Sequence, residues 1–110
     1  MQPLVLRILT VTTLSLMIAS VPEKVMAASD AGSMYKEKCA LCHGPDGSGK
    51  TPTGTALKAK DLRSDEVQKQ SDADLIEVVS KGRNKMPAFG QKFKPEQIHE
   101  LIEYVRQLKK

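Results

Sequence analysis

Five consecutive residues, Cys39-Ala40-Leu41-Cys42-His43, constrain this chain more than any other stretch. A C-x-x-C-H run reads as a covalent attachment site for c-type haem. In a helical or turn-like backbone, residues three apart lie on one face. Cys39 and Cys42 can therefore place two sulfurs along one porphyrin edge, while His43 offers its imidazole to the iron. The sixth iron ligand must come from elsewhere, and Met86 in Lys85-Met86-Pro87 is the candidate. Its thioether is soft and uncharged, and a His/Met pair raises the reduction potential relative to two nitrogens. The proline that follows restricts Met86 to an extended backbone.

Other uses of the five residues are weaker. Structural zinc needs four ligands, and the whole chain offers only Cys39, Cys42, His43 and His99. A thioredoxin-like site would need a βαβ setting, for which there is no alternating strand pattern. A Cys39–Cys42 disulfide would close too small a loop to stabilise much.

The first part of the 110-residue chain has the pattern of an export signal. Met1 to Arg7 is mildly basic, Ile8 to Val21 is an uncharged, mostly apolar run of 14 residues, and Val25-Met26-Ala27-Ala28 supplies small residues for cleavage. The run is too short to span a bilayer comfortably. Residues 1–27 are read as a cleaved signal and residues 28–110 as one small domain, exported to the periplasm, or to a thylakoid lumen if the host is photosynthetic. In those 83 residues, Leu, Ile, Val and Phe number 15, or 18 per cent. That is less than a chain usually needs to build its own core, so a buried macrocycle must supply the missing apolar surface.

In order, a helix is expected over Ala31 to Cys39, with Ala31 and Gly32 suiting a close helix crossing and Met34 used for packing. Gly44 to Gly54 is read as irregular. Inside it, Gly44 to Thr51 matches the phosphate-loop pattern G-x-x-x-x-G-K-[ST] letter for letter. A phosphate loop needs a buried strand before it and a helix N-terminus meeting the phosphates, whereas here the haem anchor precedes and Pro52-Thr53-Gly54 follows. Nucleotide binding is rejected, and the stretch is assigned to wrapping the haem. A ligating histidine commonly donates its other ring N–H to a backbone carbonyl, and Pro52 is taken as the candidate partner of His43. Ala56 to Arg63 is a linker. Ser64 caps a short helix through Gln68, and Ser71 starts another that stops at Gly82. That second helix presents Leu75, Ile76, Val78 and Val79 to the haem or its neighbours. The last helix starts at Lys94-Pro95-Glu96, and Ile98, Leu101, Ile102, Val105 and Leu108 form its apolar face. His99 lies off that face, on the surface.

Taken together, Cys39-Ala40-Leu41-Cys42-His43-Gly44, then Lys85-Met86-Pro87-Ala88-Phe89, then Pro95-Glu96-Gln97-Ile98 with an amphipathic end helix, resemble a small bacterial class I c-type cytochrome with one haem. The resemblance covers nearly all of residues 31–110. It implies an all-α class I cytochrome c fold in which the first and last helices cross, here through Tyr35, Leu101 and Tyr104, around one covalently bound haem c. By the same resemblance Cys39 and Cys42 are the thioether positions, and His43 and Met86 the axial ligands. The chain departs from some members in having no tryptophan to set against a haem propionate.

With both axial positions filled by protein, iron has no open site and can only exchange an electron. The reading is a one-electron carrier, not an enzyme. The alternatives are a dedicated subunit of a dehydrogenase or oxidase complex, or a haem-based sensor or peroxidase if Met86 does not ligate. Residues 28–110 keep 15 basic and 12 acidic groups, net +3. Lys38, Lys50, Lys81, Arg83, Lys85 and Lys92 lie near the haem-bearing loops in sequence and could steer an acidic redox partner to the haem edge. The expected partners are a redox donor and acceptor. Neither nucleic acid nor nucleotide is expected, nor stable membrane insertion after signal cleavage, and the state expected is a monomer.

Overall fold

The computed structural model describes residues 27–109, so the signal reading of residues 1–27 lies, but for its last residue, outside the described residues. The described chain forms α1 (Ala27–Lys38), α2 (Ala40–His43), α3 (Pro52–Leu57), α4 (Asp65–Gln68), α5 (Asp72–Lys81) and α6 (Pro95–Gln107). It contains no strand among the described residues, only an isolated antiparallel bridge between Arg83 and Met86. The all-α expectation holds.

The core begins where α1 crosses α6. Ala31, Met34 and Tyr35 of α1 bury against Leu101 and Val105 of α6, with Tyr104 packed alongside. The Tyr35 and Tyr104 rings lie 5.0 Å apart at 40°. Each large apolar side chain sealed there contributes roughly 1.5–3 kcal/mol, so the crossing is the main packing joint. The apolar face of α6 follows the 3.6-residue period, with Ile98, Leu101, Ile102 and Val105 all buried. His99 stands outside that face, exposed, with Nδ1 3.7 Å from the Glu103 carboxylate.

The helix starts follow their capping chemistry. The Ser64 hydroxyl accepts the Val67 N–H, and the Ser71 hydroxyl accepts the Asp74 N–H, each cap being worth about 1 kcal/mol. At α6 the Gln97 side-chain carbonyl accepts the Lys94 N–H at 2.9 Å, with Pro95 in the first helical position. A second core cluster joins Val67, Leu75 and Ile102. Arg106 binds the α4–α5 connection to α6, donating to the Gln68 carbonyl (2.9 Å), the Gln70 carbonyl (2.6 Å) and Asp72 (2.7 Å).

Two expectations need correction. The segment from Gly44 to Gly54 is not wholly irregular, and Ala56 to Arg63 is not all linker, because α3 occupies Pro52–Leu57. The Thr51 hydroxyl caps it by accepting the Gly54 N–H, Pro52 takes the first helical position, and Lys58 closes it in the left-handed region at φ 56°. A proline read as a loop signal is here a helix starter.

Candidate functional site

The helical ladder of α1 runs directly into the C-x-x-C-H motif. The Cys39 N–H donates to the Tyr35 carbonyl at 2.9 Å, His43 N–H to the Cys39 carbonyl at 2.9 Å, and Gly44 N–H to the Ala40 carbonyl at 2.8 Å. The motif is therefore one wound helical turn, which puts Cys39 and Cys42 on a common face. Burial pushes the Cys39 thiol up to about 11, and Cys42 beside it adds to the rise, so Cys39 is a neutral thiol in the polypeptide itself. From beneath, the buried Tyr35 hydroxyl donates to the Gly44 carbonyl at 2.7 Å. Burial raises its pKa far above the usual phenol value, so it remains a donor at any ordinary pH.

His43 is aimed by a carbonyl, but not the one expected from sequence. Its Nδ1 lies 2.9 Å from the carbonyl oxygen of Lys60. Pro52, the sequence candidate, instead opens α3. With Nδ1–H donating to Lys60, the lone pair of Nε2 is left for a metal. Lys60 is 17 residues away, and nothing in the intervening sequence announces the contact.

Met86 sits in a tight turn with Arg83. The two exchange backbone hydrogen bonds of 3.2 and 2.9 Å, with Asn84 at φ 54° between them. The returning chain is then tied to the end of α5, Phe89 N–H to the Val79 carbonyl at 2.9 Å and Gly90 N–H to that of Ser80 at 3.0 Å. The thioether thus rides on a loop fastened on both sides.

Cys39, Cys42, His43 and Met86 all line one cavity of about 630 Å³, walled by Leu75, Val78, Val79, Leu101, Ile102 and Val105. That volume is within the range of roughly 300–1,000 Å³ usual for cofactor pockets. Two thiols at a helical spacing, a nitrogen and a thioether on one apolar cavity form the donor set that a covalent haem requires. Exposed Lys38, Lys58, Lys60, Arg83 and Lys85 also border it. Of the basic residues named from sequence, Lys38, Arg83 and Lys85 are at this mouth. Lys50, Lys81 and Lys92 are not in the lining, and Lys81 is paired with Glu77 at 2.8 Å. Lys58 and Lys60 are added, Lys60 pairing with Glu66 at 2.8 Å.

The phosphate-loop letters have a different use. Gly47 N–H donates to the Gly44 carbonyl, Gly49 N–H to that of His43 and Ser48 N–H to Asp46, so these donors turn inward and are already satisfied. The Thr51 hydroxyl donates to the Leu41 carbonyl at 2.7 Å while capping α3, fastening α3 to the attachment turn.

Residues 27–105 match the family model described as cytochrome c oxidase, cbb3-type, subunit III. Among solved structures, the KustC0563 c-type cytochrome is 36% identical with a TM-score of 0.68, the match covering 74% of this chain and 99% of that one. A tyrosine-to-phenylalanine variant of Kustc0563 gives 34% identity, a TM-score of 0.65, and coverage of 73% and 99%. No curated protein matches. A c-type cytochrome domain carries covalently bound haem c and serves haem-based electron transfer. The crossed helices, the cavity with its four donors and these likenesses lead to one conclusion: the chain belongs to the c-type cytochromes, within the family described as cbb3-type cytochrome c oxidase subunit III.

Proposed function

We propose that this protein is an exported, freely diffusing one-electron carrier whose haem is anchored through Cys39 and Cys42 and ligated by His43 and Met86. The observation that carries the reading is the convergence of those four side chains on one cavity. Haem iron, when bound, supplies the one-electron couple, and the polypeptide does the rest. His43 is held by Lys60 in one orientation, Met86 is held on its fastened loop, and the apolar wall excludes water, so little need rearrange as the charge changes. With His43 and Met86 both holding the iron, no site would be left open to a substrate, and the chemistry supplied would be electron transfer and not catalysis. Export rests on the pattern of residues 1–27; among the described residues no helix is long and apolar enough to cross a membrane.

Substituting Met86→Ala tests the ligand set. The weak far-red sulfur-to-iron absorption of the ferric protein disappears, the ferrous protein binds carbon monoxide, and the midpoint potential falls by on the order of 100 mV, within the roughly 0.8 V that axial ligands span. A wild-type protein that already binds carbon monoxide would move the reading to a sensor or peroxidase.

The basic mouth favours an acidic redox partner. Lys38, Lys58, Arg83 and Lys85 stand around the opening, where charge raises encounter rates more than affinity. The expected result is a drop of about tenfold in the bimolecular electron-transfer rate with an acidic redox protein between low and high ionic strength. A rate indifferent to salt removes the steering.

A second reading, a subunit docked permanently in a larger complex, is favoured by the description of the matched family as an oxidase subunit. Size-exclusion of a native extract separates the two: the carrier elutes at the mass of one small domain.

A further inference from the structure

Behind His43, two backbone segments press together. The loop 44–49 turns under the attachment motif, and the strap 59–63 carries the Lys60 carbonyl that accepts from Nδ1. The strap is pinned on both sides of Lys60, by Ala59 N–H donating to the Gly54 carbonyl and Leu62 N–H to the Gly47 carbonyl, each at 2.8 Å. Gly49 stands between the two segments. Its N–H donates to the His43 carbonyl at 2.7 Å, and its bare α-carbon faces the strap. A Cβ there would lie 2.7 Å from the Ala59 carbonyl oxygen and 3.3 Å from that of Lys60, at a φ of +73° that side chains rarely adopt.

Beyond Lys60, Asp61 receives Arg63 bidentately at 3.0 Å from both Nε and Nη2, and also accepts the Arg63 N–H at 2.9 Å. Arg63 reaches back to Asp46 on the loop at 3.7 Å, with its own side chain only 16% exposed. A planar fork of this kind fixes geometry where a single ammonium would not.

We propose that Gly49 and the Asp46–Arg63–Asp61 tie are positioning elements for His43: they fix where the Lys60 carbonyl stands, and so set the hydrogen bond behind the imidazole and the potential of the iron. The inference rests on the reading of His43 as an axial ligand. A strong bond from Nδ1–H makes the imidazole a better donor, which favours ferric iron and lowers the potential. Displacing Lys60 weakens the bond and raises it.

Two holoprotein variants test this without changing net charge, Gly49→Ala and the double substitution Arg63→Gln with Asp61→Asn. In each, the ferrous-to-ferric ratio at a fixed applied potential rises severalfold, towards the tenfold that equals about 59 mV for one electron. The His43 Nδ1 proton of the ferrous protein exchanges with solvent at least tenfold faster, and the far-red Met86 band persists. Arg63→Lys, which keeps the charge and loses the fork, moves both readouts in the same direction but less. An unmoved or lowered potential in Gly49→Ala overturns the role of Gly49, and in the double variant it overturns that of the tie. Should Gly49→Ala fail to assemble, the double variant, made at the edge of the strap, decides alone. If the wild-type protein lacks the spectral signatures of His43 and Met86, the ligand reading falls and the inference falls with it.

Discussion

Stripped of its haem, the chain loses most of its helical far-ultraviolet circular dichroism and melts without a cooperative transition. The reason lies in how the core is divided. One cluster joins α1 to α6 through Tyr35, Leu101 and Val105, and another joins Val67 and Leu75 to Ile102. All six of these residues border the cavity of about 630 Å³. Without the macrocycle those side chains face water and the two clusters lose the surface they share, while a domain of about 83 residues has only roughly 4–12 kcal/mol of stability to lose. With Leu, Ile, Val and Phe at 18 per cent of residues 28–110, the chain has little apolar surface with which to collapse around the gap. A native-like helical spectrum and a sharp melting transition in haem-free material would refute this account.

What could be read without coordinates was whatever the chemistry encodes locally. Cys39, Cys42 and His43 are recognisable because one wound turn places all three. The starts of α4, α5 and α6 are recognisable because Ser64, Ser71 and Pro95 satisfy or dispense with N–H groups at their own helix ends. The crossing of α1 and α6 was implied by the family resemblance, with the small residues Ala31 and Gly32 suiting a close approach. What stayed hidden depends on loops meeting in space. The Lys60 carbonyl reaches His43 only because residues 59–62 fold back along residues 44–54, whereas Pro52 is what the sequence offers, being near His43 and having no N–H of its own. α3 was obscured by Gly54, a residue that discourages helix by propensity. The basic mouth was half legible, since sequence proximity to the motif found Lys38 and missed Lys58.

Gly54 also carries the second large effect: Gly54→Ala destabilises the holoprotein by about 3 kcal/mol or more and lowers the yield of covalently loaded protein. Local propensity argues the opposite sign, because alanine in a helix interior is better than glycine by roughly 1 kcal/mol. Packing overrules it. Gly54 is buried in α3, held by its N–H to the Thr51 hydroxyl and by its carbonyl to the Ala59 N–H. A Cβ built there collides with the carbonyl of Cys42 and lies 2.5 Å from that of Gly49. Both obstacles are backbone and cannot rotate away, so the cost is at or beyond the upper end of the roughly 1–3 kcal/mol typical of overpacking. Relief requires α3 to withdraw from the attachment turn, which pulls on the Thr51 hydroxyl bonded to Leu41 and disturbs Cys42 and His43 together. Gly32→Ala is the matching control, since its Cβ would meet only the Tyr104 ring edge at an ordinary 3.6 Å. In that helix the propensity gain stands, and denaturant unfolding of the two holoproteins moves in opposite directions. A Gly54→Ala protein as stable as wild type would show that α3 does not buttress the attachment turn.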